Sequence, residues 1–100
     1  MSEALDKAPA AGLALYHHEL CGACLRVRAV MERLGVDIEL RDVRLEPERR
    51  QELLEGGGRQ TVPCLRIDEP DGEATWLYES ADIAAYLAER FGQRSAVNTP

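Results

Sequence analysis

Leu13-Ala14-Leu15-Tyr16-His17-His18-Glu19-Leu20-Cys21-Gly22-Ala23-Cys24 decides the reading of this chain, because an apolar, strand-like run from Leu13 to His17 gives way to a C-x-x-C pair and then to a helical pattern. From Ala23 onward apolar residues recur at Val27, Val30, Met31 and Leu34, and Gly35 supplies a C-terminal stop. Cys21 therefore stands at the helix start and Cys24 in its first turn. Backbone N–H groups at that end lack intrahelical partners, and the positive end of the helix dipole favours a thiolate. Cys21 is thus the candidate nucleophile. Cys24 lies within reach of a mixed disulfide formed on Cys21, which it can attack to release the bound group.

Beyond this helix the pattern alternates. Val36-Asp37-Ile38-Glu39-Leu40, continued by Arg41-Asp42-Val43, predicts a second strand and completes a β-α-β unit with a parallel pair. Pro47 suits a first helical position, and Glu48 to Glu55 are good helix formers, with Leu53 and Leu54 nearly the only apolar anchors. Gly56-Gly57-Gly58 is expected to end that helix and open a flexible stretch before Thr61-Val62-Pro63. Cys64 to Ile67 reads as a strand, Glu69-Pro70-Asp71-Gly72 as a turn, and Thr75 to Tyr78 as an antiparallel return strand. Ser80 is a good N-cap, Asp82 complements the helix dipole, and Ile83, Tyr86, Leu87 and Phe91 form an apolar stripe expected to stop at Gly92. The chain divides into an N-terminal tail, 1–12, a folded domain, 13–92, and a C-terminal tail, 93–100, both tails lacking apolar periodicity.

Composition narrows the function classes. One hundred residues with 45% hydrophobic content fit one domain with a modest core. A net charge of -6 argues against nucleic acid, since binding through phosphates needs a basic face. Three cysteines, an odd number, do not make a paired disulfide framework, and the first residues carry neither a basic start nor a long apolar stretch, so a cytoplasmic protein is expected. No apolar run approaches the ~20 residues that would span a bilayer, so no membrane role is expected.

The C-x-x-C at a helix start, Thr61-Val62-Pro63 before the third strand and Tyr78-Glu79-Ser80-Ala81-Asp82-Ile83-Ala84-Ala85-Tyr86-Leu87 at the last helix together resemble a glutaredoxin. The last segment, with Leu15-Tyr16-His17 before the cysteines, is closer to the N-terminal thioredoxin-fold domain of glutathione S-transferases. The resemblance runs from Leu13 to Phe91 and implies an α/β, thioredoxin-like fold with a four-stranded mixed sheet flanked by three helices. It also implies a cis peptide between Val62 and Pro63 beside Cys21, proline being the residue that accommodates a cis bond. Carried over residue by residue, Cys21 matches the nucleophile and Cys24 the resolving cysteine. Val62 and Pro63 match the glutathione-contact loop, while Glu79 and Ser80 match the pair that holds the γ-glutamyl end in transferases. Arg59 and Gln60 are candidates for a glutathione carboxylate, through charged or bidentate hydrogen bonds. Three departures stand out: Gly22-Ala23 replaces the Pro-Tyr of dithiol glutaredoxins, His18 stands where they often carry Lys, and Ala81 where they often carry Asp.

The activity this implies is glutathione-dependent thiol-disulfide exchange by a monomer, with glutathione as co-substrate and protein disulfides or glutathionylated proteins as partners. Two alternatives stay open: a module holding a [2Fe-2S] cluster between protomers through Cys21 and external glutathione, and a non-enzymatic binding module. Transferase activity is not expected, because the all-helical domain that supplies the electrophile pocket is absent. No resident metal is expected either, since a closed zinc site needs about four ligands and the sequence shows no second cysteine pair. Cys64 reads as a small buried hydrophobe, with a third redox thiol as the alternative. His17 reads as a strand-end residue that caps the strand or faces water, and His18 equally as that or as a group tuning Cys21. Trp76 and Tyr16 read as core or rim aromatics.

Overall fold

The structure is a computed structural model and describes residues 10–97. Its elements are β1 (Leu13–His17), α1 (Gly22–Leu34), β2 (Glu39–Asp42), α2 (Pro47–Gly57), β3 (Cys64–Asp68), β4 (Ala74–Leu77) and α3 (Ser80–Val97). The four strands form one mixed sheet in the order β2-β1-β3-β4, with β1 parallel to β2 and β3 antiparallel to both β1 and β4. This is the thioredoxin-like architecture that the resemblance implies.

All five residues of β1 are buried, which requires cover on both faces of the sheet. Successive side chains point to opposite faces. Leu13 and Leu15 accordingly join Val27 and Met31 of α1, Leu65 and Ile67 of β3, and Ile83 and Leu87 of α3 in one core. Ala14 and Tyr16 join Val43, Leu53 and Cys64 in a second, smaller core beneath α2. Helix α1 closes with Gly35 in the left-handed region at φ 70°, where its N–H meets the Glu32 carbonyl and the Val36 N–H meets that of Met31. That 5→2 and 6→1 pairing satisfies carbonyls the helix end would leave open.

Three elements depart from the sequence reading. Strand β2 starts at Glu39 instead of Val36, because Ile38 turns into the core and the Asp37 carbonyl accepts the Ala10 N–H at 2.7 Å, so Val36–Ile38 serves as a connection. Helix α2 continues through Gly56 and Gly57 to a cap at Gly58, so the glycine run is helix end before it is loop. Helix α3 passes Gly92 and runs to Val97. Gly92 is not in the left-handed conformation that closes a helix, and without it a glycine costs helix stability but does not end it. Residues 1–9 and 98–100 of the expected tails lie outside the described residues, whereas Ala10 and Gly12 are tied to Asp37 and Asp68 by backbone hydrogen bonds.

Helix α2 sits on the sheet with Leu53 as its one buried apolar side chain, worth ~1.5–3 kcal/mol when removed from water. Leu54, paired with it in the sequence reading, is 39% exposed. Polar contacts complete the seat. The buried Tyr16 hydroxyl donates to Glu52 Oε1 at 2.9 Å and accepts from Arg41 Nη1 at 2.8 Å, while Arg49 pairs with Glu52 at 3.0 Å. At the far end Gly56 lies against the Trp76 ring and Gly57 against the Tyr78 hydroxyl so closely that a Cβ at either would overlap them.

Candidate functional site

The strand directions bring the candidate residues to one end of the sheet. Tyr16 pairs with Cys64 and Leu65 with Leu77, so the exit of β1, the entry of β3 and the exit of β4 share an edge. Cys21 follows the first, Val62-Pro63 precedes the second, and Tyr78-Glu79-Ser80 follows the third.

Cys21 is the N-cap of α1, in extended backbone at φ -88° and ψ 116°. Its Sγ accepts the Cys24 N–H at 3.2 Å, and on the other side it lies 3.8 Å from the Val62 carbonyl oxygen. The Val62-Pro63 peptide is cis, as the resemblance implies. Cys21 is half-buried. Cys24 differs: its side chain is fully buried, and burial together with a hydrogen bond to Cys21 pushes its thiol up to about 12. The two thiols of one motif are thus chemically unlike, one reachable and one held as S–H.

Cys64 is fully buried behind Pro63, and burial pushes its thiol up to about 12, with a hydrogen bond to Tyr78 acting the other way. This agrees with the reading of Cys64 as a buried hydrophobe. His17 departs from its reading. It neither caps the strand through its side chain nor faces water; it is 4% exposed, and its Nδ1 has no hydrogen-bond partner. Burial, reinforced by Arg28, holds its imidazole below the ordinary histidine range, so the ring stays neutral. His18 accepts the Leu20 N–H on Nδ1 at 3.2 Å, and its carbonyl takes the Cys21 N–H at 3.3 Å, so it shapes the turn that delivers the thiol.

Of the candidates for the ligand's ends, Arg59 and Gln60 lie exposed between α2 and Val62. The Arg59 guanidinium stacks 4.3 Å over the Tyr78 ring and makes no ion pair among the described residues. Glu79 is exposed, and its carbonyl accepts the Ile83 N–H at 2.9 Å, which makes Glu79 the N-cap of α3 and Ser80 its first helical residue. The expected Ser80 cap is therefore displaced by one position. Ser80 lines a groove of about 370 Å³ between α1 and α3, together with Arg26, Val30 and Ala84. Tyr78 was read as the last residue of a strand and the first of the segment leading into the last helix, with no role at the site; the strand in fact ends at Leu77. Its position directly before Glu79 was the available signal that it belongs to this end of the molecule.

Among the described residues no three His, Cys, Asp or Glu side chains cluster as metal ligands would, and no helix is long and apolar enough to cross a membrane.

The sequence profile of the family "Glutathione S-transferase, N-terminal domain" matches residues 15–95. Solved structures agree with that match. An epsilon-class glutathione S-transferase from the housefly Musca domestica is 27% identical, covering 80% of this chain and 35% of its own, with a TM-score of 0.63. A trimeric glutathione transferase from Leishmania is 32% identical, covering 79% of this chain and 18% of its own, with a TM-score of 0.65. A maleylacetoacetate isomerase from Anaeromyxobacter dehalogenans, with GSH bound in its active site, is 30% identical, covering 80% of this chain and 38% of its own, with a TM-score of 0.60. The chain thus spans well under half the length of each. No curated protein matches significantly.

Proposed function

The chain belongs to the glutathione S-transferase N-terminal domain family, and from that premise we propose that it binds glutathione at the Cys21 end of the sheet and uses Cys21 for glutathione-dependent thiol-disulfide exchange. The observation that carries the reading is the asymmetry of the C-x-x-C pair. Cys21 is accessible and receives a backbone N–H, while Cys24 is sealed and protonated.

In the first half-reaction the Cys21 thiolate attacks the glutathionyl sulfur of a mixed disulfide. The substrate sulfur leaves as a thiolate and takes up a proton, and a Cys21-glutathione disulfide remains. In the second, the thiolate of another glutathione attacks that glutathionyl sulfur. Oxidised glutathione departs and Cys21 is freed as a thiolate. The Cys24 N–H stays aimed at the Cys21 sulfur where charge returns to it, and the Val62 backbone offers the extended edge along which the ligand's peptide can lie. Glu79 and Ser80 at the start of α3 suit the γ-glutamyl amino and carboxylate groups, and Arg59, with Gln60 beside it, suits the remaining carboxylate. Because Cys24 must lose a well-held proton before it can attack, the route through a second glutathione outruns the dithiol route. Protein disulfides and glutathionylated proteins are the substrates.

An iron-sulfur alternative would draw on the same Cys21 sulfur. With Cys24 sealed, that is one protein donor per chain, and the other ligands would have to be external thiols.

A coupled assay with glutathione, its reductase and a small mixed disulfide tests the proposal. Wild type and Cys24→Ser are expected to turn over, and Cys21→Ser to be inactive. Turnover by Cys21→Ser at the wild-type rate would overturn the assignment. Conjugation of glutathione to an electrophile that survives in Cys21→Ser would place the chain's chemistry with the transferases, and visible absorbance of freshly purified protein would favour the cluster.

A further inference from the structure

The mechanism above leaves Tyr78 unused, yet this one side chain touches every segment around the Arg59 turn. Its hydroxyl donates to the Arg59 carbonyl at 2.9 Å, with the Leu53 carbonyl at 3.4 Å as a second acceptor, and it accepts the Arg59 N–H at 3.3 Å. Its ring lies 4.3 Å beneath the Arg59 guanidinium. Gly57 approaches so closely that nothing larger fits under the hydroxyl. The next residue in sequence is Glu79, and Val62 follows Arg59 by three.

We propose that Tyr78 is a positioning residue for ligand recognition: through Arg59 it sets the reading of the glycine carboxylate of glutathione. The inference rests on the glutathione reading of this site and adds which group enforces its far end. Glu79 and Ser80 take the amino-acid end, so the carboxylate left for Arg59 is the one on glycine. A free arginine side chain samples many rotamers, and holding it costs entropy on binding. Tyr78 removes that freedom beforehand. Its hydroxyl fixes the backbone from which Arg59 springs, and its ring face holds the guanidinium through a cation-π contact. Because the same loop runs on into Val62, Tyr78 also ties the distance between the carboxylate anchor and the reacting sulfur to one rigid aromatic group.

The test is calorimetric titration of wild type, Tyr78→Phe, Arg59→Ala and the double variant with two probes, glutathione and its glycine monoethyl ester, in which an ethyl group replaces that carboxylate's charge. Wild type should prefer glutathione by about tenfold or more, the value of one charged hydrogen bond. Tyr78→Phe should lose most of that preference while holding the ester within about twofold of wild type, and should have no further effect once Arg59 is Ala. Gly57→Ala, which displaces the same hydroxyl from below, should reproduce the loss of preference and serves as the second variant. Equal weakening of both probes by Tyr78→Phe means that the residue is merely structural and overturns the inference, as does an unchanged preference. A wild type that binds glutathione without discriminating the ester removes Arg59 from the carboxylate and the inference with it, leaving the rest of the site. A wild type that binds neither probe overturns the glutathione reading itself.

Discussion

Alkylation of the native protein at neutral pH should stop at one adduct. Cys24 and Cys64 are both fully buried, and each thiol is pushed up to about 12. At pH 7 such a thiol is ionised to about 1 part in 10⁵, against about 3 parts in 100 for an accessible thiol of ordinary acidity near 8.5. A more basic thiolate is intrinsically more nucleophilic, with a Brønsted slope of about 0.4–0.5, which returns roughly 30- to 50-fold. The net handicap is on the order of 10² before access is considered, and burial adds the cost of opening the structure. Intact mass after iodoacetamide treatment, followed by peptide mapping, should therefore show one modification, on Cys21, in native protein and three in denaturant. Labelling of Cys24 should keep rising with pH beyond 10, where an ordinary thiol has levelled off. A second native adduct within tenfold of the first rate, or a first adduct on Cys24 or Cys64, would refute the division of roles within the pair.

The same two thiols make the fold sensitive to alkali. Each is raised above its unfolded value, so each contributes stability that is whole below about pH 8.5 and is lost toward its folded value near 12, with about 2 kcal/mol per thiol gone at pH 10. Urea melts at pH 7 and pH 10 should show that loss, and Cys64→Ala should lessen it; pH-independent stability would refute the shift. Gly57→Ala should destabilise by about 1–3 kcal/mol in urea, because overlap with the Tyr78 hydroxyl outweighs the ~1 kcal/mol gained in helix propensity, and a more stable variant would contradict the packing. Glu79→Gln should weaken glutathione binding by roughly ten- to hundredfold in titration calorimetry, and equal affinities would place the amino group elsewhere.

What could be read in advance depended on whether a residue's role was local. The Leu13–His17 run, the helical spacing after Ala23 and the Gly35 stop depend on neighbours in sequence, and they appear where the pattern puts them. The hairpin, read as Cys64–Ile67 and Thr75–Tyr78, appears with its strands shifted by one residue at their ends, as Cys64–Asp68 and Ala74–Leu77, so that Tyr78 lies just past the return strand. The start of β2 depended instead on Ala10 reaching Asp37, and the roles of Gly56 and Gly57 on two aromatic rings about 20 residues away, contacts that no window of sequence contains. Gly92 was misread because a glycine signals a helix end only when its backbone turns left-handed, which its identity alone does not decide. At the site, the accessible cysteine was legible from the helix start. The neutral, sealed state of His17 was not, since it follows from packing around the end of β1.

The short β2 strand also bears on how two copies of this chain would meet. As an edge strand it offers an unpaired row of backbone groups, the usual template for sheet-to-sheet growth. In the full-length antiparallel register with a second copy, Glu39 of each strand would face Asp42 of the other, with Leu40 opposite Arg41. Hydrogen bonds from Arg41 hold the Glu39 carboxyl below its ordinary range, and those from the Leu45 and Arg44 N–H groups do the same for Asp42, so both stay ionised at neutral pH. Like charges directly opposite in a ladder are destabilising. The acidic ends of a four-residue strand thereby make this edge a poor seed for aggregation.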